Sequence, residues 1–180
     1  MAIQTKMTAA EFLQRPETNQ IVELIDGEIL VSAPKPSHQR ASFESAKYIE
    51  SIAPHGIVFQ APQDVYLDES NVVQPDVMWN GPDSQCSLID DSSWRGAPDL
   101  VLEILSPSTV SRDKGIKFQL YEKHGVREYW IMNVSAHQIE VWRLADAKFV
   151  QLGIYGAGET FVSTVLGDKT VEVSALFGTQ

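Results

Sequence analysis

The sequence has few of the residues that several protein classes require. It contains one cysteine, Cys86, which excludes an intrachain disulfide and a cysteine-based metal cluster. No apolar run approaches the ~20 residues that span a bilayer, and no charged segment followed by an apolar one forms a signal peptide. The Gly-x-Ser-x-Gly element of a serine hydrolase is also missing. We therefore expect a cytoplasmic protein without a membrane partner, in which Cys86 is an inert loop thiol.

Positive charge is scarce as well. The chain has 14 Lys and Arg residues and 24 Asp and Glu residues, so its formal net charge is -10. Proteins that coat nucleic acid by bulk electrostatics carry a basic stripe, so any such contact must be local here. The cations that share one short segment are Arg112, Lys114, Lys117, Lys123 and Arg127. Such a run forms either a positive rim around an acidic site or, more commonly, a solvated helix face.

The residue patterns predict an α/β fold. A length of 180 residues and a hydrophobic content of 43% suit one domain over residues 1–180. The predicted helices cover 8–14, 38–52 and 111–124, and the predicted strands cover 21–25, 28–32, 56–60, 63–67, 72–79, 99–105, 127–134, 139–143 and 149–152. Thr8 opens a capping box, Asp26-Gly27 marks a hairpin turn, and Ser37 and Ser111 are the expected helix caps.

The order of these elements predicts a mixed sheet flanked by one or two helices. The strand, helix and strand between 99 and 134 form a right-handed crossover, which makes the two strands parallel. The polar segment 81–95 is expected to be a surface loop that borders the site, and the chain from 153 to 177 is expected to form short strands and turns.

Two acidic residues lie within predicted strands, at positions where a catalytic or metal-binding role would explain them. Glu103 interrupts the apolar strand 99–105, where a buried carboxylate requires a metal, a cation or several hydrogen bonds. Asp76 follows Pro75 in the preceding predicted strand, 72–79. A Pro-Asp pair can, however, simply begin a strand or a turn.

Together these acids suit metal-dependent phosphodiester cleavage. Divalent magnesium prefers hard oxygen ligands, which the carboxylates of Asp76 and Glu103 and the main-chain carbonyl of Ile104 would supply. Lys117 would stabilise the charge of the transition state if its helix face turns toward the strand ends. Its spacing from Asp113 is equally typical of a surface ion pair at i,i+4.

A set of motifs across nearly the whole chain resembles one protein family. The motifs are Glu23-Leu-Ile-Asp-Gly-Glu28, Pro36-Ser-His38, Pro75-Asp76, Ala97-Pro-Asp-Leu-Val-Leu-Glu103-Ile-Leu-Ser-Pro-Ser-Thr109, Asp113 with Lys117 and Tyr121, and Gly125-Val-Arg-Glu-Tyr-Trp130. They resemble the Uma-two family of restriction-endonuclease-like proteins in the PD-(D/E)xK nuclease superfamily.

This resemblance implies a restriction-endonuclease-like fold and a nuclease activity. The expected fold is a mixed β-sheet flanked by helices with an α-β-β-β-α-β core, here with an N-terminal hairpin and C-terminal β-hairpins. The expected activity is magnesium-dependent cleavage of DNA, with Mn²⁺ as a substitute ion and with Asp76, Glu103 and Lys117 as the catalytic set.

The chain departs from the family pattern at two positions. The superfamily carries its lysine two residues after the second acid, and Leu105 stands there, so the resemblance assigns that role to Lys117. Many relatives carry Asp where this chain has Asn133, which leaves activity intact if this residue only ends a strand.

Further residues and a second function stay open at this point. Glu23 and Glu44 either approach the metal or act as solvated or capping charges, His38 is more often a residue of a helix start, and Tyr121 is more often a core aromatic. A nuclease-fold binding or interaction domain without turnover is the alternative function, favoured by the acidic charge. A homodimer would fit a double-strand cut, which uses two sites.

Overall fold

The computed structural model describes residues 6–16, 18, 20–106 and 110–178, without the side chains of 110 and 112, and it confirms the predicted α/β fold. The helices are α1 Ala9–Leu13, α2 Pro36–Ile52, α3 Val110–Asp113, α4 Ile116–His124 and α5 Val173–Phe177. The strands are β1 Ile21–Ile25, β2 Glu28–Ser32, β3 Ile57–Gln60, β4 Asp64–Asp68, β5 Asn71–Val73, β6 Val77–Asn80, β7 Ser87–Leu88, β8 Ser93–Arg95, β9 Leu100–Ile104, β10 Glu128–Asn133, β11 Gln138–Ala145, β12 Lys148–Gly156, β13 Thr160–Ser163 and β14 Lys169–Glu172. Among these residues, no helix combines the length and apolar character needed to cross a membrane.

A central mixed sheet organises the molecule. Its strand order is β12-β11-β10-β9-β6-β3, and β9 and β10 run parallel as predicted from the crossover through α4. One face packs against α2, α5 and the β13–β14 hairpin, and α4 lies on the other face. The elements α2, β3, β6, β9, α4 and β10 occur along the chain in the expected α-β-β-β-α-β order, with β4, β5, β7 and β8 of the second sheet and the short helix α3 inserted between them.

A second sheet lies against the α4 side of the central sheet. It has the order β2-β1-β5-β4-β8-β7, and α1 covers its outer face. Apolar side chains of both sheets, among them Val73 and Val101, share one core cluster. The β1–β2 strands at the edge of this sheet are the predicted N-terminal hairpin, so the hairpin is brought to the same side of the central sheet as α4.

Local sequence signals account for the ends of several elements. Thr8 caps α1, and the side chain of Glu11 accepts a hydrogen bond from its backbone, which confirms the capping box. Asp26 and Gly27 both have positive φ, as the two-residue hairpin turn between β1 and β2 requires. The hairpin of β11 and β12 is also confirmed, with its turn at Asp146-Ala147.

The predicted caps of the second and third helices, Ser37 and Ser111, are wrong. α2 begins at Pro36, with Lys35 as its N-cap, because proline is favoured at the first helical position, where its fixed φ is already helical and its missing amide would have no partner within the helix. Ser111 lies within α3, and the predicted helix 111–124 is broken at Gly115, whose backbone is not helical. Because of this break, α4 is a separate helix, and it packs against the central sheet.

Three predicted segments have a different structure. The strand 72–79 is two strands, β5 and β6, because the chain leaves one sheet and enters the other around Pro75. The loop 81–95 contains β7 and β8 at the far edge of the second sheet, away from Glu103, so it does not border the site. The segment 173–177 is the helix α5, whose Leu176 is buried against α2.

Candidate active site

A small polar cavity lies at the carboxyl end of β9, where the two sheets and α4 meet. Its volume is about 40 Å³, enough for a few water molecules or for an ion with a water molecule. The lining comes from β1, the segment after β2, the first turn of α2, the link between β5 and β6, the end of β9, α3 and α4. The lining residues are Ile21, Glu23, Ser32, Ala33, Pro34, His38, Gln74, Asp76, Glu103, Ile104, Ser106, Asp113 and Lys117.

Strand register brings the two predicted acids together. β6 pairs antiparallel with β9 through Val77 and Leu102, and one further step of this register places Asp76 opposite Glu103. Side chains at opposite positions of neighbouring strands point to the same face of the sheet, which here is the α4 side. Oδ2 of Asp76 also accepts a hydrogen bond of 2.7 Å from the amide of Ile104. The predicted metal ligands are therefore neighbours in one cavity.

Lys117 points into the cavity rather than toward solvent. Its ammonium lies 2.5 Å from Oε1 of Glu103 and 2.9 Å from Oε1 of Glu23, and the residue is 1% exposed. Burial opposes its positive charge, but the carboxylates of Glu103 and Glu23 outweigh burial and raise the pKa of Lys117. The alternative reading of Lys117 as a surface partner of Asp113 is wrong, because both residues are buried.

Glu103 also receives a hydrogen bond from a tyrosine. The hydroxyl of Tyr121, one helical turn after Lys117 on α4, donates to the same Oε1 atom over 2.7 Å. Burial raises the pKa of Glu103 well above its ordinary value, and the nearby charge of Lys117 only partly opposes that rise. Tyr121 is therefore both a core aromatic and a part of the site.

His38 joins the site from the first turn of α2. Its Nε2 atom lies 3.1 Å from Oδ2 of Asp76, and its ring also hydrogen-bonds the backbone of Ile104. Burial lowers the pKa of His38, but the hydrogen bond to Asp76, the charge of that carboxylate and the contact with Ile104 outweigh burial, so the pKa is raised. His38 thus contacts two of the predicted metal ligands.

Two acidic residues line the cavity in addition to Asp76 and Glu103. Glu23 and Asp113 also line it, and each is buried. Four carboxyl groups thus line this small cavity together with the ammonium of Lys117. The spacing of Asp113 from Lys117 favoured a surface ion pair, whereas Asp113 is buried at the end of α3 and lines the cavity. An acid in the otherwise apolar strand β1 was the signal for Glu23, as it was for Glu103.

Other candidate residues lie outside the cavity. Glu44 forms ion pairs with Arg40 and Lys47 on the surface of α2, so it is a structural charge. Glu44 does not line the cavity that the described residues form. Asn133 accepts a hydrogen bond from the amide of Ala136 and shapes the turn after β10.

The basic segment does not form a continuous positive rim. Lys114 pairs with Glu140, Lys123 with Asp68 and Arg127 with Asp99. Asp99 and Arg127 lie at the opposite end of β9 and β10 from Glu103, and the side chain of Arg112 is outside the described residues. The described cations of the segment are therefore neutralised locally, and Lys117 is the one that lines the cavity.

The donor atoms in the cavity suit a hard divalent cation. Lys117 and Tyr121 bind the same oxygen of Glu103, and Ile104 and His38 bind the same oxygen of Asp76. The second oxygens of these carboxylates and the carbonyl of Ile104 are hard ligands, which magnesium and manganese prefer. Within the described residues, no group of three or more His, Cys, Asp or Glu side chains is arranged to hold a metal by itself. Water or substrate oxygens would have to complete the coordination.

Cys86 does not contribute a nucleophile. Its side chain is buried, and burial raises the pKa of the thiol to about 11. At neutral pH the sulfur is therefore protonated, in agreement with the expectation of an inert thiol.

Comparisons with known proteins place this chain in a family. It is 28% identical over 158 residues to the uncharacterized protein sll1609 of Synechocystis sp., an alignment that covers 83% of this chain and 88% of that protein. Its structure matches a crystal structure from Anabaena variabilis, described as "a putative nuclease belonging to DUF820", with a TM-score of 0.77, 21% identity and coverage of 95% of this chain and 97% of that chain. At this identity the match shows a shared fold. The model of the Uma2 family, described as "Putative restriction endonuclease", matches residues 9–173, so the chain belongs to the Uma2 family, as its motifs predicted.

Proposed function

We propose that this protein is a magnesium-dependent DNA endonuclease that hydrolyses phosphodiester bonds through Asp76, Glu103 and Lys117. The observation that carries the proposal is the cavity itself, in which two carboxylates at neighbouring strand ends lie beside a buried ammonium. Buried charges of this kind are costly unless they are compensated, and they cluster at functional sites. The family description as a restriction endonuclease supports the same chemistry.

Three groups of this chain would hold the cation. Asp76 and Glu103 would each offer a carboxylate oxygen, and Ile104 would offer its main-chain carbonyl. The amide of Ile104 already orients Asp76, and Tyr121 orients Glu103. A bound Mg²⁺ or Mn²⁺ ion would lower the pKa of a coordinated water and neutralise charge on the phosphoryl oxygens.

Lys117 would stabilise the charge that develops on the phosphate. An ammonium has three N–H donors, and the contacts with Glu103 and Glu23 use two of them. The remaining donor would be available to a phosphoryl oxygen or to the attacking water in the cavity.

The N-terminus of α2 supplies a second attraction for phosphate. α2 begins at Pro36 without a side-chain cap among the described residues, and His38 in its first turn lines the cavity. The first amides of a helix point outward and carry the positive end of the helix dipole, which favours phosphate groups.

DNA binding by this acidic chain should be weak and sensitive to salt. The formal charge of -10 repels DNA at long range, and the lysines Lys114 and Lys123 of the basic segment are already paired with acids. We propose that the metal-filled cavity and the start of α2 provide the local contact, so affinity should fall steeply as salt rises. A homodimer would supply the two sites that a double-strand cut requires.

The test is cleavage of supercoiled plasmid and branched DNA with Mg²⁺, with Mn²⁺ and with a chelator. We expect metal-dependent nicking or cutting by the parent protein and loss of at least about 100-fold in the Glu103→Gln variant. Glu44→Gln is the matched control, because Glu44 is also buried but pairs with Arg40 and Lys47 outside the cavity. Equal activity of the parent and Glu103→Gln would contradict the proposal.

The alternative function is a nuclease-fold binding or interaction domain without turnover. One observation favours it: both candidate acids already have partners within the protein, Glu103 with Lys117 and Asp76 with His38. A parent protein that binds neither Mg²⁺ nor Mn²⁺ and leaves every DNA form intact would support this alternative.

A further inference from the structure

We infer that Glu23 is a positioning residue for Lys117 in the proposed hydrolysis. The inference rests on the function proposed above and adds a residue from the second sheet to the site. Glu23 is the one acid of β1 and is 1% exposed among apolar residues. A carboxylate at such a position is costly to bury, so its charge requires a partner.

The direction of the Glu23 side chain follows from the strand. Its neighbours Val22 and Leu24 pack into the outer cluster beneath α1. Successive side chains of a strand alternate between the two faces, so Glu23 points to the inner face, where α4 lies. There its Oε1 atom accepts a hydrogen bond of 2.9 Å from the ammonium of Lys117.

The link between β5 and β6 holds Glu23 in place. The backbone amide of Gln74 donates a hydrogen bond of 2.9 Å to the same Oε1 atom of Glu23. The side chain of Gln74 is fixed in turn, since it donates to Asp64 over 2.7 Å and accepts from the amide of Val22 over 3.3 Å. Asp76 follows two residues later, so one short link both delivers a candidate metal ligand and holds the carboxylate that binds Lys117.

Two fixed carboxylates define the position of the ammonium. Glu103 lies in the central sheet and Glu23 in the second sheet, and Lys117 bridges them. Without Glu23, the ammonium would lose one of its two direct ion pairs among the described residues and could turn about Glu103. Because a displacement of about 1 Å can lower a catalytic rate by about 100-fold, the loss should appear in kcat. DNA binding should change little, because Glu23 lies deep in the cavity.

The test is a kinetic double-mutant cycle under single-turnover and steady-state conditions. We would compare the parent, Glu23→Gln, Lys117→Met and the double variant, with Glu28→Gln on the exposed side of β2 as the control. We expect Glu23→Gln to lower kcat at least about tenfold and to leave KM within about twofold. In the Lys117→Met background the same replacement should change kcat by less than about twofold, because the group that Glu23 positions is gone.

Two results would overturn the positioning role while the proposed function stands. One is an unchanged kcat for Glu23→Gln, and the other is an equal loss in both backgrounds, which would mean that Glu23 acts independently of Lys117. If Glu23→Gln does not fold, Glu23→Asp replaces it in the same cycle, because it keeps the charge and withdraws it by one methylene. A parent protein that cleaves no DNA would instead refute the function itself.

Discussion

Replacing Lys117 by methionine should destabilise the protein in a pH-dependent way. Methionine has a similar length and an apolar end, so the change removes the ammonium without opening a large cavity. Breaking a buried ion pair by removing one partner typically costs about 3–5 kcal/mol, because a charge is left buried without compensation. Lys117 is 1% exposed and contacts Glu103 and Glu23, so we expect a loss in this range in the free energy of unfolding at pH 8.

The pH dependence has a definite sign. A carboxyl group whose pKa is raised in the folded protein binds its proton more tightly there than in the unfolded chain, where the pKa is near 4.5. Its contribution to stability is therefore complete below pH 4.5 and is lost as the pH rises through the folded pKa. Without Lys117 the attraction that partly opposes the raised pKa of Glu103 is lost, so Glu103 should hold its proton up to a higher pH. The destabilisation should then shrink by up to ~1.4 kcal/mol per pH unit as the pH is lowered from 8 to 5.

Urea denaturation followed by circular dichroism at pH 5, 6.5 and 8 would measure these differences. Lys148→Met is the control, because Lys148 forms an exposed ion pair of 2.7 Å with Glu122, and such pairs contribute about 0–1 kcal/mol. Equal effects of Lys117→Met and Lys148→Met, or an effect of Lys117→Met that does not shrink on acidification, would refute the reasoning. The folded Lys117→Met variant should also cleave DNA at least about 100-fold more slowly, at a residual rate that single-turnover assays can still measure, and a parental rate would remove Lys117 from the catalytic set.

Three further predictions concern the metal and the thiol. Millimolar Mg²⁺ or Mn²⁺ should raise the melting temperature of the parent, by an amount equivalent to about 2.7 kcal/mol at 100 times Kd, and Asp76→Asn should abolish the rise; an equal rise in both proteins would exclude Asp76 as a ligand. Because burial raises the pKa of Glu103, metal binding should release protons and tighten as pH rises, which calorimetry in buffers of different ionisation enthalpy would detect; affinity independent of pH would contradict this. Cys86, with a pKa of about 11, should react with a thiol reagent at pH 8 only after unfolding in urea, and rapid labelling of the native protein would contradict its burial.

The local elements could be predicted because their causes are local. The capping box at Thr8 and the turn at Asp26-Gly27 depend on a few adjacent residues, and both have the expected structure. The acid within the apolar strand around Glu103 identified an unusual position without any knowledge of its partners. The family motifs carried the resemblance, which the family match confirms.

The composition of the site depends on contacts between distant parts of the chain. Glu23 and Lys117 are 94 residues apart, and they meet because the second sheet packs on the face of the central sheet that holds α4. The pairing of Asp76 with Glu103 requires the antiparallel register of β6 and β9, which hydrogen bonds between strands define. Asp113 and Lys117 line the same cavity although the non-helical backbone at Gly115 separates their helices. Periodicity and capping chemistry specify which segments are strands or helices, but the choice of sheet, register and buried face is made only when the whole chain packs, because these depend on nonlocal hydrogen bonds and shared apolar surface.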